Sequence, residues 1–148
     1  KKTLATTGIL ADVEIAKTWK EWLERLTLAH KQYDIVLPIA YFNIKDENGK
    51  YLAASEAISA MSAASQVPLF VNQDYTVDDN GAMGALVING KTHGQRAGLI
   101  ALSVLEGSSP KSIMPEIDQT GVFYFNQKQL NRFDITLPED VKSHSVFR

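Results

Sequence analysis

Residues 67–90 read VPLFVNQDYTVDDNGAMGALVING, and the class of fold turns on them. An apolar run, Val67-Pro68-Leu69-Phe70-Val71, gives way at once to Asn72, Gln73, Asp74 and Tyr75. A passage of small residues from Gly81 to Gly84 then leads into a second apolar run over 85–88. Two buried strands separated by a loop of amide, carboxylate and aromatic groups is the pattern of an open α/β sheet. Such sheets bind their ligands just beyond the carboxyl ends of the strands. The competing reading makes residues 72–79 an ordinary solvated turn.

Working outward, residues 34–40 (DIVLPIA) form another apolar run of strand length. Its lack of alternation predicts burial on both faces, as in a parallel sheet. Pro38 cannot donate to a ladder, so irregularity is expected there. This run also ends in aromatic and amide groups, Tyr41, Phe42 and Asn43. Residues 45–50 (KDENGK) read as a turn centred on Asn48-Gly49. Ser55 is the expected cap of a small-residue helix from Glu56 to about Ser65, with Ala57, Ile58, Met61 and Ala64 toward the sheet.

Further upstream, Ile15, Trp19, Trp22, Leu23 and Leu26 share one helical face, while Lys17, Lys20, Glu21, Glu24 and Arg25 share the other. That spacing predicts a helix from about Val13 to Gln32, with Asp12 as N-cap and Glu21–Arg25 as an i,i+4 pair. The two tryptophans are read as core packing rather than as a binding platform. Residues 3–7 are β-prone and Gly8 breaks them.

Downstream, Thr92 is a candidate N-cap for a helix to about Glu106 that Gly107 terminates. Gly94 and Gly98 lie on one face of it and would allow close approach to a strand. Residues 110–115 connect to a strand over 121–125 (GVFYF) and a short helix over 127–133, and 135–148 read as a tail crossing the surface. Strands alternating with helices predict a mostly parallel open sheet with helices on both faces. No repeat or linker interrupts the chain, so residues 1–148 are expected to form a single α/β lobe.

Composition narrows the function. Lys and Arg total 15 against 17 for Asp and Glu, a net charge of -2 without a basic block, which argues against a nucleic-acid partner. The absence of cysteine excludes disulfides, thiol catalysis and thiolate metal sites. No apolar run nears the roughly 20 residues that span a bilayer. His30, His93 and His144 lack metal-ligand spacing, and no P-loop, G-x-S-x-G, G-x-G-x-x-G or H-E-x-x-H motif occurs. The residues give no support for an enzyme, and neither a catalytic group, a metal nor a cofactor is expected. The acidic pairs Asp46-Glu47 and Asp78-Asp79 read as solvated loop charges.

From Tyr33 onward the chain resembles the C-terminal lobe of the substrate-binding proteins of ABC transporters, in the type I periplasmic-binding-protein class. The likeness is carried by YDIVLPIAY, the small-residue helix, QVPLFVNQDYTVDDNGAMGALVINGKTHGQRAGLIALSVLEG and the closing YFNQKQLNRFDITLPEDV. In the closing piece Asp134 stands where the family usually has glycine. The nearest likeness is to the subfamily for aromatic and related amino acids, which also serves as the sensor region of diguanylate cyclases and histidine kinases. The resemblance implies a periplasmic or otherwise extracytoplasmic, flavodoxin-like lobe holding a small molecule, with ligand-binding residues Tyr41, Phe42, Asn43, Asn72, Gln73, Asp74 and Tyr75. It implies that Asp74 receives the ligand's amino group, and that closure of a missing N-terminal lobe passes the signal to a membrane partner. Against the family, the insertion around residues 45–52 and the smooth run into a signalling-type ending favour a sensor over a free transport protein, and a non-ligand-binding interaction domain is the alternative. A lobe lacking its leading strand and helix would expose an unpaired strand edge and apolar surface, so a homodimer or higher oligomer is expected.

Overall fold

A computed structural model of the chain describes residues 2–3 (as backbone), 7–115 and 121–148. Strands β1 (Lys2–Thr3) and β2 (Leu10–Ala11) form a small antiparallel ribbon. Residues 4–6 of the expected leading strand lie outside the described residues.

Helix α1 (Trp19–Leu28) continues through a 3-10 turn, Ala29–Lys31, and so ends where the spacing predicts. Its start does not match. Thr18, not Asp12, is the N-cap: its Oγ1 accepts from the Glu21 amide at 3.1 Å. Glu21 Oε2 accepts from the Lys17 amide at 2.8 Å, so the chain turns into the helix here. Asp12 instead accepts from the amide of Val13, and Ile15 lies outside the helix and exposed. Leu26 is buried, with Trp19, Trp22 and Leu23 packed against the core beside it.

The strand expected over 34–40 is reduced to one parallel bridge, Val36 opposite Leu69. Two prolines explain this. Val36 donates to the Pro68 carbonyl and accepts from the Phe70 amide, both at 2.9 Å. Continuing the ladder would need an N–H from residue 38 on one side and from residue 68 on the other, and both are proline.

Helix α2 (Ala54–Ala64) begins after Ala53, so Ser55 sits in its first turn rather than at its cap. Ala57, Ile58 and Met61 are buried as expected. The sheet then runs in the order β3 (Phe70–Val71), β4 (Gly84–Ile88), β5 (Gly121–Phe125), β6 (Ser145–Phe147). The β3–β4 and β5–β6 pairs are parallel, whereas β4–β5 is antiparallel. The fold is thus a mostly parallel open α/β sheet, with the expected tail corrected: α5 (Glu139–Ser143) and β6 bring it back to pair with β5. Apolar Leu137 and Val141 draw it in, packing beneath the sheet with Phe70 and Phe133.

Both faces are covered in part. Leu69, Val71 and Ala85 meet α1 and α2 on one side. Met83 and Phe125 meet Leu130 of α4 (Gln127–Arg132) on the other. Helix α3 (Gly90–Leu105) is different, because none of its residues is buried. Asn89 caps it in place of Thr92, its Oδ1 accepting from the Lys91 amide at 2.9 Å. Gly107, at φ +107°, ends it as predicted. Gly94 and Gly98 approach no strand: a Cβ at either would meet nothing within 4 Å.

Candidate functional site

Two loops follow neighbouring parallel segments, β3 and the Val36 bridge, at their carboxyl ends, where an open α/β sheet exposes its ligand crevice. The first follows β3. Gln73 precedes a 3-10 turn, Asp74–Thr76, whose Thr76 Oγ1 donates to the Gln73 carbonyl at 2.9 Å. Thr76 and Val77 are completely buried and anchor the loop, which is therefore no mere solvated turn. Gly81 closes it: a Cβ there would collide with the Thr76 carbonyl oxygen, so only glycine lets the chain fold back this tightly. Asn126 Nδ2 donates to the Asp78 carbonyl, tying the loop to the start of α4.

The second loop follows the Val36 bridge. Ala40 adopts a left-handed conformation, φ +60°, and starts the 3-10 turn Tyr41–Asn43. That reversal sends the Tyr41 side chain inward, where it is fully buried. Its hydroxyl donates to Gln73 Oε1 at 2.9 Å, joining the two loops. Tyr75 donates to the same oxygen by a short hydrogen bond. Burial pushes the Tyr41 phenol pKa up, so it stays a neutral donor. Phe42 is exposed and lies edge-on to Tyr41, with ring centroids 5.6 Å apart.

A cavity of about 490 Å³ opens beside the second of these loops, lined by Ile39, Ala40 and Asn43 on one side and by Trp19, Trp22 and residues 14–18 on the other. Charged groups brace its outer wall. Arg25 reaches Glu14 at 2.6 Å and Glu21 at 2.7 Å, the latter being the predicted i,i+4 pair. The Tyr33 hydroxyl also donates to Glu14 at 2.8 Å. Those bonds lower the Glu14 carboxyl pKa, first through Tyr33 and then through Arg25, and push the Tyr33 phenol up to about 12.

Asp74 faces a smaller cavity, about 180 Å³, with Asn89, Gly90, Val122 and Tyr124. Arg148 holds it in place, donating to the Asp74 carbonyl at 2.8 Å and to Oδ2 at 3.2 Å while its guanidinium lies over the Tyr124 ring.

Of the residues read from sequence, Tyr41, Gln73 and Tyr75 thus form one network, with Phe42 against it. Asn43 lines the large cavity and Asp74 the small one, while Asn72 is exposed at the end of β3. Sequence reasoning missed Ala40, Asn89, Tyr124 and Arg148; Trp19 and Trp22, read as core packing, do pack against the core and also line the large cavity. The rule that strand ends line the crevice points to Asn89, which follows β4. Nothing local marks Arg148, whose partner lies 74 residues away. Among the described residues no cluster could hold a metal ion, and no helix is long and apolar enough to cross a membrane.

Solved structures share this architecture. An ABC domain from Streptococcus pneumonia, crystallised with L-Trp, superposes with a TM-score of 0.63 at 20% identity, over 97% of this chain and 46% of that one. A conserved domain protein from Vibrio cholerae matches at 0.61 and 19%, with the same coverage. A ligand-free, open substrate binding protein with adhesive properties from Clostridium difficile matches at 0.69 and 14%, over 97% of this chain and 45% of that one. The chain therefore spans less than half the length of these solved relatives. No curated protein matches it significantly. The model of the ABC transporter substrate binding protein family matches residues 28–146. With that match spanning most of the lobe, the chain belongs to the ABC transporter substrate binding protein family.

Proposed function

We propose that this lobe is the half of an extracytoplasmic, non-catalytic amino-acid receptor that receives the ligand at the carboxyl edge of its sheet. The observation that carries the reading is the joining of two loops at the sheet edge by Tyr41, Gln73 and Tyr75, one of which, through Ala40 and Asn43, also borders a cavity with tryptophan in its wall. Aromatic walls suit a flat or apolar side chain, and converging polar groups suit an amino-acid head group. That a fold relative was crystallised with L-Trp supports the same class of ligand. Asp74 would accept the ammonium group: Arg148 holds one carboxylate oxygen, and the side chain is still 40% exposed.

A second lobe would close over this edge. Helix α3 and the outer sheet residues Leu86 and Ile88 present the uncovered apolar surface such a lobe would bury. Ligand binding would favour the closed form, and the sensor role would pass that shift to a membrane partner. Free transport is the second reading, separated from the first by whether an output domain follows a membrane helix in the full-length gene product. An interaction domain without a ligand is the third, favoured by the bare face of α3.

Calorimetric titration of the intact protein with the standard amino acids tests the proposal. One or more aromatic amino acids should bind, and Asp74→Asn should weaken that binding roughly tenfold or more, the loss of one charge-assisted hydrogen bond. Asp79→Asn, in the exposed part of the same loop, should leave it unchanged. Equal affinity of wild type and Asp74→Asn removes Asp74 from the site, and no binding by any amino acid removes the receptor reading.

A further inference from the structure

We infer that Gln73 is the specificity-determining donor of the site, presenting its side-chain NH2 to an oxygen acceptor of the ligand, the carboxylate of an amino acid. This rests on the amino-acid reading above and adds which residue reads which end of the molecule. The hydroxyl protons around the Gln73 amide fix its orientation. Tyr41 is fully buried and needs an acceptor for its one hydroxyl proton. Two oxygens are in reach: Gln73 Oε1 at 2.9 Å and Thr76 Oγ1 at 3.5 Å. The Thr76 proton is committed to the Gln73 carbonyl at 2.9 Å, so Thr76 can only accept, and at a length where a hydrogen bond is weak.

The Tyr41 proton therefore belongs on Gln73 Oε1. Rotating the amide by 180° would put Nε2 against Tyr41, leaving that buried proton with only the distant Thr76 oxygen. Tyr75 donates to Oε1 as well, so both lone pairs of the amide oxygen are occupied. One end of the side chain is thus fixed by two phenols, Tyr75 from its own loop and Tyr41 from the neighbouring one. The other end, Nε2, donates to no group among the described residues, and Gln73 is only half-buried. A fixed amide with two unspent N–H donors selects an oxygen acceptor and disfavours a second ammonium group. Asp74, the proposed ammonium acceptor, is the next residue, so one strand-end loop would carry a donor for the carboxylate and an acceptor for the ammonium of one α-amino acid.

The test is Gln73→Glu in the intact protein, because glutamate keeps the oxygen that Tyr41 and Tyr75 bond while replacing the NH2 by a second oxygen. Thermal melts confirm that the variant is folded. Calorimetry then compares L-tryptophan with tryptamine, which lacks the carboxylate. Gln73→Glu should weaken L-tryptophan tenfold or more and leave tryptamine unchanged or tighter. An equal loss for both probes, or no loss for either, overturns the assignment. If the wild type binds L-tryptophan no better than buffer, the same comparison is made with the amino acid the titration identifies and its decarboxylated amine; if no amino acid binds, the proposed function falls and the carboxylate with it as the acceptor. The orientation of Gln73 is still decided by NMR: fast exchange of its side-chain NH2 with water supports it, while protected NH2 protons with nuclear Overhauser contacts to the Tyr41 ring refute it.

Discussion

Asp134 shows how much a single backbone angle carries. It sits at φ +53°, in the left-handed region that costs most residues about 1–2 kcal/mol. The surrounding bonds explain why it stays there. Ile135 donates to the Leu130 carbonyl at 2.9 Å and Asp134 to the Asn131 carbonyl at 3.3 Å, the two bonds of a Schellman ending for α4. The family resemblance puts glycine at this place, and the angle supplies the reason: glycine enters this region freely and aspartate with modest strain. Asp134→Ala should therefore cost about 1 kcal/mol in urea denaturation, while Asp134→Gly should cost less than about 0.5 kcal/mol or stabilise. A similar loss in both variants would show that the carboxylate, not the angle, matters. Ala40, at φ +60°, is held in the same region beside the crevice without even a polar side chain to ease it.

At the scale of elements, the loop that carries Gln73, Asp74 and Tyr75 is positioned by a helix it does not belong to. Asn126 is completely buried and works in both directions. Its Oδ1 accepts from the Gln129 amide at 3.2 Å, capping α4, and its Nδ2 donates to the Asp78 carbonyl. Aspartate caps a helix as well as asparagine does but cannot donate. Asn126→Asp therefore isolates the tie to the loop, setting a carboxylate oxygen against a carbonyl oxygen. It should destabilise by about 2–3 kcal/mol. Amide hydrogen exchange over residues 76–82 should accelerate more than in α2, because the loop loses its outer anchor. Uniform acceleration across both would mean that the helix cap, not the tie, was broken.

For the whole molecule, the unevenness of burial matters most. Residues 26–85 supply nearly all of the core against α1 and α2, yet Leu99, Leu102 and Leu105 of α3 are 59%, 50% and 84% exposed. Leu86 and Ile88 of β4 add to the uncovered apolar surface. Apolar area of this kind recruits a partner. Expressed by itself, the 148-residue chain should self-associate at micromolar concentration, and Leu102→Lys with Leu105→Lys should shift it toward monomer in light scattering. A monomeric mass for the unaltered chain across that range would show that α3 needs no cover.

Local signals in the sequence determined a good part of this architecture. The apolar run at 85–88, GVFYF at 121–125, the Glu21–Arg25 pair, the Gly107 stop and the polar residues after β3 are all visible in the chain, because each depends on neighbours within a helical turn or a strand. The weakness of the strand around Val36 is also written there, in Pro38 and Pro68, although the position of the surviving bridge depends on its partner. What only the tertiary structure decided involves groups far apart in sequence. Tyr41 reaches Gln73 across 32 residues, Asn126 reaches Asp78 across 48, and Arg148 reaches Asp74 across 74. The return of 145–147 as a strand belongs with these, since a short apolar stretch pairs only where a free sheet edge is offered to it. Periodicity reports which side of an element is apolar, but the choice of partner across the sheet is made by packing the whole chain at once.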